Sequence, residues 1–399
     1  MNITCMHPTR HVPRRLYCQP ACMLDFPSCT EVSDAWSVAG SGIGSGSNSL
    51  KTALGEYYER KHFYTEILSD TQNKLTYSLR PDEAYQFVHA FSQTSYPTRQ
   101  LDNLLEHTYH LTKVIRISDL TECYIPTACL SLTHYGLGED NTIYPLRDTC
   151  GCSFHWDAKK AIFCALKECL ERQFLNRFWL TAHYQKRISA QSIIDQLTKS
   201  NILALASSLN KAGDIIAFDI SDPSFPGRCI IACYGQKNRS HHVNYCTGMA
   251  YSDTQTHALE KAFEELWQTY RFMDLFTHCK GDKNTLNDPY LKHFFNCNTY
   301  ESFKEITSCE AGCRSTSQLA RRFTTNELLN SLAHQKIQGY LYLKPSHIED
   351  KRCVFCKFIS PQLFMHMNNS RHINLDNDYS AIFQGDILPS RQTNMVPFP

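Results

Sequence analysis

The sequence predicts an α+β fold in which mixed β-sheets pack beneath helices. Three observations carry this prediction: three helical segments share one glutamate pattern, short β-rich runs lie between them, and no linker-like stretch divides the chain into blocks. With 399 residues, 42% of them hydrophobic, the chain can bury a full core without disulfides or a structural metal. We therefore expect one domain over residues 1–385, followed by a C-terminal tail, 386–399, that ends Pro-Phe-Pro.

Three helices are predicted over 50–64, 158–179 and 255–276, because small and apolar residues recur there at helical spacing. The three segments align on one glutamate, with an alanine three residues before it and an acid or amide three residues after it. A glycine precedes each of these glutamates by sixteen or seventeen positions. The aligned glutamates are Glu56, Glu168 and Glu265, the residues three later are Glu59, Glu171 and Gln268, and the glycines are Gly40, Gly151 and Gly248. This pattern indicates a repeated loop–helix unit.

Strands are predicted for four apolar, β-branched runs at 125–132, 215–220, 229–234 and 353–359. The stretch 39–48, AGSGIGSGSN, predicts a glycine loop directly before the first helix. Such loops often approach phosphates, but the spacing fits neither a Walker A motif nor a GxGxxG fingerprint. A plain flexible linker is the alternative interpretation.

The net charge of +1 gives no electrostatic reason to expect binding to nucleic acid or to a membrane surface. No apolar run reaches membrane-spanning length, and the opening residues lack the apolar core of a secretory signal. We therefore expect a cytoplasmic protein whose 19 cysteines are reduced. The one CxxC pair, Cys353 and Cys356, has no second pair at zinc-site spacing, which favours ordinary buried thiols.

Glutamates three residues apart on a helix share a face, so the first two helices each present a pair of carboxylates. On one helix, a solvated acidic surface would be the ordinary interpretation. Repetition next to small and apolar residues instead indicates partly buried acids, which require neutralising cations. Arg60 and Arg172 follow the two pairs but are too few to offset five glutamates. Ligand sets of oxygen alone favour Mg²⁺ over zinc, and Mg²⁺ commonly accompanies phosphates.

At these residues the sequence resembles the YcaO family. The matching motifs are Thr52–Arg60 (TALGEYYER), Glu168–Arg172 (ECLER) and Glu265–Gln268 (ELWQ), which occur in the family's order. Within the family, the chain is most similar to the cyclodehydratase subunit of microcin-type thiazole/oxazole synthetases. Residues 144–155, 366–370 and 395–399 carry that narrower resemblance.

The resemblance implies a YcaO-type fold in which the glutamate-bearing helices line an ATP cleft, with ATP and Mg²⁺ as cofactors. It assigns metal binding to Glu56, Glu59, Glu168, Glu171 and Glu265. It assigns nucleotide contacts to Thr52, Glu56, Arg60, Glu168, Arg172, Gln268 and Arg271. Three positions depart from the family pattern: Thr52 replaces a serine and keeps the hydroxyl, Ser41 replaces a lysine, and Arg271 follows Gln268 by three residues instead of two.

The implied activity is ATP- and Mg²⁺-dependent cyclodehydration. Such an enzyme phosphorylates a backbone amide oxygen of a ribosomal precursor peptide and converts Cys, Ser or Thr to azolines. The expected partners are the precursor peptide, a leader-binding subunit related to ubiquitin-activating enzymes, and an FMN-dependent azoline dehydrogenase. The C-terminal carboxylate of Pro399 would move a proton in the reaction, although a proline-rich end is also typical of a docking tail. Two other functions stay open: amidine or thioamide formation by the same fold, and a non-catalytic scaffold.

Overall fold

The computed structural model describes residues 15–18, 26–34, 38–286, 289–308, 322–367 and 371–398. The strands are β1 (Arg15–Cys18), β2 (Ser28–Ser33), β3 (Ala39–Gly44), β4 (Thr71–Asn73), β5 (Tyr109–Arg116), β6 (Glu122–Pro126), β7 (Cys152–His155), β8 (Lys186–Ile188), β9 (Asp214–Asp219), β10 (Arg228–Gly235), β11 (Tyr245–Ser252), β12 (Tyr340–Ile348) and β13 (Lys351–Ile359). The helices are α1 (Asn48–Thr65), α2 (Pro81–Thr94), α3 (Leu101–Glu106), α4 (Asp140–Ile143), α5 (Ala158–Thr181), α6 (Ala190–Gln196), α7 (Leu203–Ala212), α8 (Gln255–His278), α9 (Pro289–Asn296), α10 (Tyr300–Thr307), α11 (Thr325–His334) and α12 (Asp378–Ala381). The predicted α+β class is confirmed.

Three sheets organise these strands. The first has the order β1-β2-β3, the second β11-β10-β9-β8, and the third β4-β5-β12-β13-β7 with β6 paired to β5. Every strand pair in the described residues is antiparallel, whereas the sequence had suggested mixed sheets. Short connections explain part of the difference, since neighbours such as β12 and β13 are joined by a tight hairpin that permits only the antiparallel arrangement.

The three glutamate-bearing helices form where the repeat predicts them. Each observed helix, α1, α5 and α8, contains the predicted segment and continues one or two residues beyond it at one or both ends. Side-chain caps fix the start of two of them. Asp157 accepts a hydrogen bond from the Lys160 amide, and Thr254 accepts one from the His257 amide, so each satisfies a backbone donor that the helix leaves free.

The glycine stretch predicted as a loop is largely a strand, so that prediction is wrong for residues 39–44. These residues form β3, and helix α1 lies directly on the strand. A Cβ added at Gly40 would stand 2.3 Å from both the Ala53 carbonyl oxygen and the Tyr57 amide nitrogen. Glycine is therefore needed here for close approach of two backbones and not for flexibility.

Three of the four strands predicted from apolar runs are confirmed as β9, β10 and β13. The fourth run, 125–132, is a strand only at its beginning, because β6 ends at Pro126 and Thr127–Cys129 form a 3₁₀ turn. Proline has no N–H to continue a ladder, which accounts for the early end.

Strand β11 lies between two of the glutamate-bearing helices. Its alternate residues Cys246 and Ala250 join the hydrophobic cluster beneath α8, whereas Tyr245, Met249 and Tyr251 join the cluster around α5. Since successive side chains of a strand point to opposite faces, the sheet is buried on both sides at this position. This layering brings α5 and α8 to the same strand from opposite sides.

The described part of the predicted tail, residues 386–398, packs onto α5. The Trp179 indole N–H donates to the Asn394 carbonyl oxygen at 2.7 Å, and the Leu388 amide donates to the Leu180 carbonyl oxygen at 2.9 Å. Val396 and Phe398 are buried in the cluster that contains α5. Among the helices described, none is both long and apolar enough to cross a membrane.

Candidate active site

Helices α1, α5 and α8 bring their five repeat glutamates into one electrostatically connected row. Burial and then the charges of Glu168 and Glu56 raise the pKa of Glu59 well above its ordinary value. Burial and the charge of Glu171 raise the pKa of Glu168 to about 8, and burial and Glu171 raise the pKa of Glu265 to about 7. Each acid in the row therefore feels the charge of the next one, across three helices.

The first and third helices hold their aligned glutamate by the same device. The Ser41 amide on β3 donates to Glu56 Oε2 at 2.5 Å, and the Met249 amide on β11 donates to Glu265 Oε2 at 2.7 Å. Both donors directly follow a glycine of the predicted repeat. At Gly248, an added Cβ would stand 2.1 Å from a backbone nitrogen of α8, even closer than the 2.3 Å at the equivalent glycine under α1. The sequence repeat is thus also a structural repeat.

The second helix departs from this device. In α5 it is the later acid, Glu171, whose Oε2 accepts a strand amide, that of Tyr251 on β11, at 2.7 Å. Glu168 receives no backbone donor from the residues described, and its nearest cation is Arg172, with Nη2 at 3.6 Å from Oε1. Gly151 lies in a turn before β7 with φ of 72° and packs against the Phe358 carbonyl oxygen, so it does not supply an equivalent strand amide.

Three basic side chains pair with the row. Arg60 Nη2 lies 2.5 Å from Glu56 Oε1, Arg172 accompanies Glu168, and Lys167 Nζ lies 3.5 Å from Glu171 Oε2. Each contact joins residues one helical turn apart, which is the spacing at which charged side chains on one helix meet. The arginines were predicted from the motif, whereas Lys167 was not.

Two further charged residues reach the row from distant parts of the chain. The buried Lys357 on β13 places Nζ 3.3 Å from the Asp148 carbonyl oxygen, and its charge lowers the pKa of Glu59. The Asp148 carboxylate contributes to the raised pKa of Glu168. Sequence analysis missed both as site residues, and the one available signal was that Asp148 lies within the 144–155 segment that resembles microcin-type subunits.

The remaining predicted nucleotide residues lie at different distances from this row. Gln268 Nε2 donates to Ser41 Oγ at 2.8 Å and so joins α8 to the strand that holds Glu56. Thr52 is exposed, and its hydroxyl donates to the Asn48 carbonyl oxygen one turn earlier on α1. Arg271 pairs with Asp274 at 3.2 Å and lies over the Trp267 ring at 5.5 Å from its centroid. The structure thus brings Gln268 to the strand that holds Glu56, whereas the Thr52 hydroxyl bonds within its own helix.

The side chains present fit Mg²⁺ with a phosphate ligand. Buried acids with raised pKa values need a cation to ionise at neutral pH, and oxygen ligands of this type suit Mg²⁺. Arg172 Nε is buried and has no hydrogen-bond partner among the described residues. One turn further along α5, both amide atoms of the buried Asn176 also lack a partner there. Such unpaired groups are expected where a polar ligand binds.

The row is open and does not form a closed metal cage. Within the described ranges, no three His, Cys, Asp or Glu side chains are arranged so that they could hold a metal ion by themselves. Mg²⁺ is usually bound by one or two carboxylates together with water and phosphate oxygens, so an open row is compatible with the predicted use. The assignment of individual glutamates as metal ligands stays a prediction.

Two tyrosines hold the last described residues of the C-terminal segment. The Tyr290 hydroxyl donates to the Phe398 carbonyl oxygen at 2.9 Å, and the Tyr245 hydroxyl donates to the Pro397 carbonyl oxygen at 2.7 Å. Burial disfavours the charged form of Arg172, but the interactions with Glu168 and then with Tyr290 favour it. The pKa of the guanidinium is raised as a result. Tyr290 therefore connects the tail to Arg172. Pro399 lies outside the described residues, so its catalytic role stays a prediction.

A solvated acidic face, as a scaffold would have, does not describe these glutamates. The side chains of Glu56 and Glu171 are 27% and 12% exposed, and each accepts a hydrogen bond from a strand amide. Exposed acids of a solvated face are hydrated and need no such partners. Glu56 and Glu171 are therefore held against the strands and are not part of a solvated surface.

Comparison with known proteins agrees with this geometry. Residues 41–345 match the family described as YcaO cyclodehydratase, ATP-ad Mg2+-binding. The chain is 32% identical over 393 residues to the microcin B17-processing protein McbD of Escherichia coli, covering 97% of both chains. It is also similar to a chain in the solved E. coli microcin synthetase McbBCD complex, with a TM-score of 0.89, 30% identity and 99% coverage of both. The same complex with pro-MccB17 bound gives a TM-score of 0.87, 30% identity and 97% coverage of both.

The glutamate row, the helix repeat that builds it and these similarities lead to one assignment. The chain belongs to the YcaO family and is an ATP-dependent, Mg²⁺-binding cyclodehydratase.

Proposed function

We propose that this chain activates backbone amides of a ribosomal precursor peptide by phosphorylating the amide oxygen, and so converts Cys, Ser or Thr residues to azolines. The observation that carries the proposal is the row of five carboxylates from three helices, together with the buried Nε of Arg172, which has no hydrogen-bond partner among the described residues and belongs to the side chain paired with Glu168. On a solvated surface, nothing would offset the mutual repulsion of five carboxylates brought together. A site that must hold a divalent cation and a polyphosphate has a reason to gather these groups.

The proposed chemistry explains why the site is rich in charged side chains. ATP with Mg²⁺ supplies the phosphoryl group that turns a poor leaving group, the amide oxygen, into phosphate. The chain's own residues then have positioning and electrostatic tasks. Glu56, Glu59, Glu168, Glu171 and Glu265 would hold Mg²⁺, and Arg60 and Arg172 would offset negative charge on the phosphates. Gln268 would orient the nucleotide from α8, where its side chain contacts Ser41 of β3, together with the motif residues Thr52 and Arg271.

We further propose that the Pro399 carboxylate accepts a proton as the ring closes. Support comes from the preceding residues, since Val396 and Phe398 are buried and the Phe398 carbonyl oxygen is bound by Tyr290 next to Arg172. Removal of Pro399 alone should abolish cyclisation while leaving nucleotide affinity near the wild-type value. Full cyclisation by a chain lacking Pro397–Pro399 would contradict this role.

We propose that the chain works as one subunit of a thiazole/oxazole synthetase. Its relatives of about 30% identity are solved in the McbBCD complex, once with pro-MccB17 bound. The partner functions that azole formation requires, leader-peptide binding by a subunit related to ubiquitin-activating enzymes and FMN-dependent oxidation of azolines, would belong to other subunits.

Calorimetric titration with a non-hydrolysable ATP analogue and Mg²⁺ tests the nucleotide site. Glu171→Gln removes one charge yet keeps an oxygen that can accept the Tyr251 amide, so the fold should persist. We expect its affinity to fall at least about tenfold, the effect of losing a charged contact of about 1.4 kcal/mol. Glu260→Gln is the matched control, because Glu260 lies on α8 five residues before Glu265 and so on a different face. Equal binding by wild type and Glu171→Gln would refute the site.

Mass spectrometry of the precursor peptide tests the reaction. With ATP and the partner subunits, each azoline ring should remove one water from the peptide. A gain in mass that corresponds to exchange of oxygen for sulfur would identify a thioamide instead. Ring formation that consumes a backbone amine and leaves every Cys, Ser and Thr unmodified would identify an amidine.

A further inference from the structure

Lys167 is a basic residue that pairs with a glutamate of the row and lies outside the YcaO motif. It lies in the sequence Lys167-Glu168-Cys-Leu-Glu171-Arg172, directly before the first acid of α5. Its ammonium group lies 3.5 Å from Glu171 Oε2, and its side chain is 31% exposed. Although burial disfavours its charged form, Glu171 and, more weakly, Glu265 raise the pKa of Lys167. The ammonium is thus a positive charge beside Glu171 that also interacts electrostatically with Glu265 on α8.

The contacts of Lys167 differ from those of the two arginines. Arg60 also donates to the Ala39 carbonyl oxygen at 3.3 Å, and Arg172 Nη1 lies 2.7 Å from Met367 Sδ. Each guanidinium is therefore held at two points. In the described residues, the Lys167 ammonium has Glu171 as its one hydrogen-bond partner, at a long 3.5 Å. A single weak contact at the end of a flexible four-carbon stem allows this charge to move.

The partner of Lys167 is an acid expected to bind the metal. The Glu171 carboxylate already accepts a strand amide and contacts the Lys167 ammonium. If Mg²⁺ also binds this carboxylate, the ammonium and the metal compete for the same negative charge. A divalent ion carries twice the charge and so displaces the ammonium. The displaced ammonium stays within a few ångströms of the row, where the polyphosphate that accompanies Mg²⁺ offers new oxygens.

We propose that Lys167 is an exchangeable cation of the active site: it neutralises Glu171 while no metal is bound, and moves to the nucleotide phosphates once Mg²⁺ takes that carboxylate. The inference rests on the proposed function, because it requires Mg²⁺ and ATP to bind at this row. It adds a phosphate-binding residue beyond the glutamates and arginines of the motif. It also gives an order to assembly, since the metal must arrive before the lysine is released.

Two binding measurements on the full-length chain test the exchange, and their expected changes have opposite signs. Mn²⁺ alone, followed by electron paramagnetic resonance, should bind Lys167→Met more tightly than wild type, by about threefold to tenfold, because a competing cation is gone. The ATP analogue AMPPCP at saturating Mg²⁺ should bind the same variant about tenfold more weakly, because a charged phosphate contact is lost. Lys167→Arg should keep Mn²⁺ affinity close to the wild-type value.

Lys159→Met is the matched control, since Lys159 is an exposed lysine on the same helix and should change neither affinity. The thermal melting curve of each variant establishes that it is folded. A parallel loss of both affinities in Lys167→Met would overturn the exchange and show a merely structural ion pair. Unchanged affinities would overturn it as well, while leaving the nucleotide site intact. Failure of the wild-type chain to bind AMPPCP with Mg²⁺, alone or with partner subunits, would instead refute the proposed function.

Discussion

Binding of Mg²⁺ and nucleotide should release protons from the glutamate row, and Glu168→Gln should lower that release by about 0.9 proton at pH 7. Burial and Glu171 raise the pKa of Glu168 to about 8, and burial and Glu171 raise the pKa of Glu265 to about 7. At pH 7 the first acid then carries about 0.9 proton and the second about 0.5. A metal ligand must be ionised, so binding should release about 0.9 proton from Glu168 and about 0.5 from Glu265, in addition to the proton that Glu59 holds through its raised pKa. The variant should lose the share of Glu168, about 0.9 proton.

The same values predict a pH-dependent affinity. The protonated fraction of Glu168 reduces metal affinity about 100-fold at pH 6 but only about twofold at pH 8, so this one group contributes a rise of about 50-fold between them. In Glu168→Gln that rise should be lost, and the metal affinity should follow the pH dependence that Glu59 and Glu265 contribute.

Calorimetric titration in two buffers of different ionisation enthalpy measures the released protons directly. AMPPCP with Mg²⁺ is the titrant, and the protons that the nucleotide itself exchanges are measured separately and subtracted. Glu260→Gln should behave as wild type. Equal proton release by wild type and Glu168→Gln would refute the reasoning, because it would mean that Glu168 is already ionised or is not a ligand.

Three further predictions follow from single contacts. Gly248→Ala should destabilise the chain by about 1–3 kcal/mol or more, because the new Cβ would stand 2.1 Å from the Leu266 amide nitrogen and 2.2 Å from the Ala262 carbonyl oxygen. Gly385→Ala is the control: a Cβ at Gly385 would have no atom within 4 Å, so the melting temperature should not change. Asn176→Leu should stabilise by about 1 kcal/mol, since two unpaired buried polar atoms are removed, and a lower melting temperature would contradict this. Without ligand, the free energy of unfolding should fall as pH rises from about 4.5 through 8. The reason is that Glu168 and Glu265, with their raised pKa values, keep protons in the folded chain that the unfolded chain has lost. Chemical denaturation at a series of pH values measures this fall.

The helices and their glutamates could be predicted because their signal is local. Residues three or four apart on a helix share a face, so Glu56 with Glu59 and Glu168 with Glu171 are adjacent in any helical structure. The repeat then placed Glu265 in register with them. All that was required was helical spacing and the preceding glycine, and both are visible in the sequence.

The rest of the site comes from contacts that no local pattern encodes. Lys357 reaches Glu59 from a strand almost three hundred residues later, and the Asp148 carboxylate arrives from a loop. Phe398 is held by Tyr290, more than a hundred residues before it. Strand β3 was misread for a related reason, since its glycines lower strand propensity and only the close packing of α1 shows why they are tolerated.

The hydrogen bonds between the strand amides and the glutamates also affect the tendency of the chain to aggregate. β3 and β11 are terminal strands of their sheets, and free N–H groups along such an edge can pair with another chain and start aggregation. Glu56, Glu171 and Glu265 accept the amides of Ser41, Tyr251 and Met249, and so shield both edges with charged side chains. Substitution of these acids by alanine would therefore leave unpaired N–H groups on both edge strands, and aggregation would accompany the loss of activity. Glutamine variants, which can still accept the amide hydrogen bond, should remain soluble and give the cleaner measure of what the carboxylate charge contributes.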